Sequence, residues 1–115
     1  MENIVATFNT VNFGNERCSV KFAKYPNGTT AIQLICMDGR PMALPTVNMP
    51  HINSDPAYVL VKDYSENEGA AEVLEDAGIL QRVKSVGLPP FGARVWICVL
   101  LKYPEGWLTG SGANA

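Results

Sequence analysis

The 115-residue chain is poor in the residues that usually carry chemistry. It has one histidine, His51, and three cysteines, Cys18, Cys36 and Cys98, at wide spacings with no C-x-x-C. Zinc sites usually draw two ligands from one short turn, so no metal or other cofactor is expected. An odd number of scattered cysteines reads as reduced thiols, and Cys18 and Cys36 read as small hydrophobes facing each other on a hairpin. Neither G-x-S-x-G nor Gly-Lys-Ser/Thr occurs, and Ser54 lies close to His51 in a loop rich in proline. That leaves no nucleophile elbow, P-loop or triad pattern, and no catalytic residue is assigned. Met1-Glu2-Asn3 lacks the basic start and long apolar run of a signal peptide, so a cytoplasmic setting is expected. The longest apolar run, Val95 to Leu101, is far short of the ~20 residues of a membrane helix. It reads instead as a strand buried on both faces.

What is present is an ordinary globular balance: 47% hydrophobic, 17% charged, and a formal net charge of −2. Such a charge does not suggest a nucleic-acid partner. Lys21, Lys24, Arg82, Lys84, Arg94 and Lys102 fall on expected strands, where they read as the solvent side of alternating patterns. The chain is expected to form a single α+β domain over residues 1–103, with 104–115 a flexible tail of mostly small residues. Trp107 and Leu108 are apolar enough to dock.

Alternation marks the strands. Ile4, Ala6 and Phe8, then Cys18, Val20 and Phe22, then Ile32, Leu34 and Cys36, then Met42, Leu44 and Thr46 each share a face. Pro26-Asn27-Gly28 has the chemistry of a three-residue hairpin loop and sets Phe22 opposite Ile32, Val20 opposite Leu34 and Cys18 opposite Cys36. Met37-Asp38-Gly39 repeats the device and predicts Leu34 opposite Met42 and Ile32 opposite Leu44. Residues 45–56 read as a connection and Tyr58 to Lys62 as a strand. Leu80 to Val86, a turn at Gly87-Leu88-Pro89-Pro90, and Phe91 to Lys102 complete the chain.

Ser65-Glu66-Asn67-Glu68 has the form of a capping box and predicts a helix beginning at Glu66. Ala70, Val73, Leu74 and Ala77 form its apolar stripe, and Gly78 stands where a left-handed residue ends a helix, with Ile79 placed to reach back to Leu74. The expected architecture is an antiparallel meander sheet of six to seven strands with one short helix packed across it and Val95–Leu101 beneath that helix.

Charge is distributed unevenly. Asp63, Glu66, Glu68, Glu72, Glu75 and Asp76 are six of the eleven acids, and no Lys or Arg lies between Asp63 and Gly78. The rest of the chain is therefore +4, nine bases against five acids. Glu75 and Asp76 oppose the helix dipole in its last turn, which stability alone would not select. These six acids are the candidate surface for a partner with basic charge.

Five strings, Lys24-Tyr25-Pro26-Asn27-Gly28, Ala31-Ile32-Gln33-Leu34, Thr46-Val47-Asn48, Val61 to Gly69 and Ala77-Gly78-Ile79, resemble a family of small proteins of unknown function carried by phages and conjugative elements of gut bacteria. The match is most specific at Lys62–Gly69. The resemblance implies a setting and no site residues: a non-enzymatic inhibitor of a bacterial defence system, working by protein–protein contact in the bacterial cytoplasm. A nucleotide-signal sponge, formed by symmetric copies, and a small hydrolase without a recognisable motif are the alternatives, and a homodimer is compatible with the first two.

Overall fold

The computed structural model describes residues 6–88 and 93–108. The fold is α+β, with seven antiparallel strands and one α-helix among the described residues. The strands are β1 (Ala6–Phe13), β2 (Glu16–Lys24), β3 (Thr30–Cys36), β4 (Pro41–Ala43), β5 (Tyr58–Lys62), β6 (Leu80–Leu88) and β7 (Ala93–Leu100). They divide into two sheets where one meander was expected: β1-β2-β3-β4, and β5-β7-β6. Proline explains the division. Pro41 opens β4 and Pro45 follows it, so the ladder ends after three residues. The chain then meets the second sheet through one bridge, Thr46 to Val61, with the Lys62 N–H donating to the Pro45 carbonyl at 2.7 Å.

The hairpin chemistry set the expected register in β2 and β3. Phe22 lies opposite Ile32, Val20 opposite Leu34 and Cys18 opposite Cys36, with Gly28 at φ 89°. At the next turn Gly39 has φ 96°, but Leu34 faces Ala43 and not Met42, because a bulge follows between Leu34 and Ile35. Gly14-Asn15 makes a two-residue hairpin with φ 58° and 69°, closing Phe13 against Glu16. The first residues of the expected opening strand, and the tip of the β6–β7 hairpin, lie outside the described residues; Gly87 and Leu88 belong to β6 rather than to its turn.

The helix α1 (Ala70–Asp76) starts four residues later than the capping box predicts. Ser65–Asn67 instead form a 3₁₀ turn with Ser65 at φ 54°, and no side chain caps it. The helix ends as the sequence predicts: Gly78 is left-handed, the Gly78 N–H donates to the Glu75 carbonyl and the Ile79 N–H to that of Leu74. Ala70, Ala71 and Leu74 are fully buried, whereas Val73 and Ala77 are half-buried at the rim. The helix packs mainly on β1, β5 and β6, joining the two sheets, rather than over β7. In β7, Val95, Cys98 and Leu100 are buried, Trp96, Ile97 and Val99 are half-buried, and Leu101, past the strand, is 52% exposed.

Trp107 is docked. It is buried against the edge of Phe22 with ring centroids 5.5 Å apart, and its indole N–H donates to the Thr30 hydroxyl at 3.0 Å. Lys24 lies 4.7 Å from the Trp107 ring centroid and donates to the Trp107 carbonyl. No described helix is long and apolar enough to cross a membrane.

Candidate functional site

The acids of this segment differ in their surroundings. Asp63 leaves β5 and turns inward: one carboxylate oxygen accepts the Gly69 N–H at 3.0 Å and the other accepts the Trp96 indole N–H at 3.0 Å. Asp63 thus satisfies the N–H of the residue that opens the helix, Gly69, from six residues away, while no side chain caps α1 itself. The Gly69 hydrogen bond, followed by that of Trp96, holds its carboxyl below the usual range. Gly69 itself, at φ 87°, turns the chain into the helix.

Glu75 is also tied to the fold. One of its oxygens accepts from the Arg82 Nε at 2.9 Å and Nη2 at 2.6 Å, and the other accepts the Arg82 main-chain N–H at 3.0 Å. These bonds lower the Glu75 pKa, that from the Arg82 main chain most. The Arg82 guanidinium lies 5.2 Å from the Trp96 ring centroid. Asp63, Trp96, Arg82 and Glu75 therefore form one chain of contacts that fastens the helix to β6 and β7. Glu75 is thus paired within the fold by Arg82, four residues beyond the helix-ending glycine.

Glu68, Glu72 and Asp76 remain exposed. Glu66 lies in the 3₁₀ turn between Asp63 and the helix. Beside it, Asn67 is 2% exposed with no hydrogen-bond partner for its Oδ1 among the described residues.

Asp76 stands on the rim of a shallow groove of about 290 Å³ between β1 and α1. Thr10, Val11, Asn12 and Arg17 form one wall, and Val73, Asp76 and Ala77 the other. The Arg17 guanidinium donates to the Thr10 hydroxyl at 2.8 Å. Sequence reasoning missed this wall because β1 carries no charge, although the Gly14-Asn15 pair is a recognisable hairpin signal that would have placed Arg17 beside Asn12.

The basic residues are dispersed. Lys24 is engaged with Trp107, Arg82 with Glu75, and Arg94 with the Ser85 hydroxyl. His51 and Ser54 are exposed in the connection between the sheets. Burial pushes the Cys98 thiol up to about 12 and raises that of Cys18. No family model, curated protein or solved structure matches the chain.

Proposed function

We propose that the protein is a non-enzymatic binding protein that docks on a basic protein surface through the outward acids of α1 and its approach loop. Glu68, Glu72 and Asp76 supply the contact charges. One observation carries this reading: these acids stay exposed in a segment without a single base, while Asp63 and Glu75 of the same segment are held by the fold. Three like charges on one exposed stretch attract an oppositely charged surface and steer its approach.

The resemblance to a family carried by phages and conjugative elements extends the reading to an inhibitor of a bacterial defence system, acting in the host cytoplasm. The sponge has less support, since Lys24 and Arg82, two of the bases it would use, already have partners. A hydrolase using Cys98 is disfavoured by the raised pKa of that thiol.

The test is capture from bacterial lysate by the native chain and by the triple variant Glu68→Gln, Glu72→Gln, Asp76→Asn. The native chain should retain a basic protein that salt releases, and the variant should bind it with a slower on-rate and a weaker salt dependence. Equal rates and equal salt dependence would reject the acidic face as the site.

A further inference from the structure

Three sulfurs meet at one end of the first sheet. Both main-chain groups of Cys36 point away from β2: its N–H donates to the Arg40 carbonyl and its carbonyl accepts the Gly39 N–H, each at 2.8 Å. Cys36 and its partner Cys18 are therefore a non-hydrogen-bonded pair, the kind in which Cα atoms stand about 4.5 Å apart and side chains approach most closely. Both thiols are enclosed, Cys18 at 0% and Cys36 at 3% exposure. The third sulfur comes from β4, where Met42 falls between the two positions paired with β3. The Cys36 thiol donates to Met42 Sδ at 3.9 Å. Gly14, in the β1–β2 turn, leaves room for this methionine, since a Cβ there would stand 3.0 Å from its methyl carbon. Met42 is half-buried against the core, so the cluster is two enclosed thiols with a thioether at the rim.

Donor type decides what such a cluster holds. Thiolates and thioethers are soft ligands that select Cu(I). A metal bonded to sulfur at about 2.3 Å places trigonal ligands about 4 Å apart, and the separation of Cys36 and Met42 already matches that spacing. Zinc instead takes four ligands, drawn from thiolate, imidazole and carboxylate. The single histidine, His51, is exposed in the connection between the sheets.

We propose that Cys18, Cys36 and Met42 bind one Cu(I) ion in trigonal coordination, through two thiolates and a thioether. Binding exchanges two S–H protons for one Cu⁺, so two protons leave, the site carries a charge of −1 and no electron is transferred. The Arg40 guanidinium, held mainly by Asp38, also interacts with Cys36 and offsets that charge, whereas Glu16 opposes it at Cys18. Burial first, and then Cys36, push the Cys18 thiol up, so the metal has a bound proton to displace. The ligands come one each from β2, β3 and β4, which is why no short-turn pair marks the site in the sequence. None of them belongs to the acidic segment, so this site and the docking surface proposed above fail separately.

The reduced chain, kept free of oxygen, is titrated with Cu(I) against bicinchoninate, a chromophoric chelator of that ion. It should withdraw one equivalent of copper, release two protons per ion and show three sulfur scatterers at about 2.3 Å by X-ray absorption. Cys98→Ala, in the other sheet, should bind equally. Cys18→Ala should lose at least about a hundredfold in affinity, and Met42→Leu, which keeps both thiols and a similar volume, at least about tenfold. Should Cys18→Ala fail to fold, Met42→Leu at its half-buried position decides. Failure of the native chain to withdraw copper, unchanged affinity in Met42→Leu, or tighter binding of Zn(II) than of Cu(I) would overturn the proposal.

Discussion

Glu75 holds Arg82 by both its side chain and its main chain, across the glycine that ends the helix. A carboxylate in the last turn opposes the helix dipole, yet here it ties the end of α1 to the first residues of β6. Glu75→Gln should therefore lower the melting temperature rather than hold or raise it, whereas Glu72→Gln, at an exposed position that loses no hydrogen bond to Arg82 and only its weaker attraction, should change it by about a degree at most. Thermal unfolding of the two variants side by side checks this.

Asp63 gives the fold an acid limit. Its folded pKa lies below the unfolded value of about 3.9, so its stabilisation is complete above that value and is lost as pH falls through the folded one. Glu75 shifts in the same direction. Stability measured by denaturant should fall below about pH 4, and Asp63→Asn should be less stable at neutral pH with a shallower acid limb. An acid limb of unchanged slope would show that Asp63 titrates alike in both states.

Ser65 does not cap the helix, and its φ of 54° is one that a side chain resists. Ser65→Ala is expected to be near neutral, and Ser65→Gly should stabilise by up to about 1 kcal/mol. By contrast, Asp63→Ala should cost about 1 kcal/mol or more, since it removes the acceptor for the Gly69 N–H. Chemical denaturation of the three variants distinguishes this loop from a true capping box.

Cys18, Cys36 and Cys98 are all free and buried. A thiol reagent should find no reactive group in the native chain at neutral pH and three in the unfolded one, counted by absorbance. A fast-reacting native thiol would show that one strand opens readily.

The parts of the fold legible in the sequence are those governed by residues close in the chain. The loop at Pro26-Asn27-Gly28 set the β2–β3 register, and Gly78 set the helix end, because each acts through a turn of a few residues. The helix start departs from the local pattern for a related reason. Ser65 and Glu68 have the correct spacing for a reciprocal cap, but the Glu68 N–H is taken by the Ser65 carbonyl in a 3₁₀ turn, and Asp63, anchored by Trp96 from a strand 33 residues away, fixes Gly69 as the start of the helix. No local pattern records that partner. The same limit applies to the acids: six in a row of sixteen residues look equivalent in sequence, and only the arrival of Arg82 and Trp96 separates the structural ones from the exposed ones. Two sheets instead of one follow from Pro41 and Pro45, which cut β4 to three residues.

The docking of Trp107 has a kinetic consequence. Its indole bonds to Thr30 across 77 residues of chain, and its carbonyl to Lys24 across 83. Closing a loop of that length is entropically among the costliest steps in the fold, whereas the β2–β3 hairpin that receives the ring closes locally. The tryptophan should therefore seat itself after the rate-limiting barrier, on a surface already formed. In chevron measurements Trp107→Ala should raise the unfolding rate extrapolated to water while leaving the refolding rate nearly unchanged, making this last-placed ring a latch that sets how long the native state survives rather than how fast it is reached.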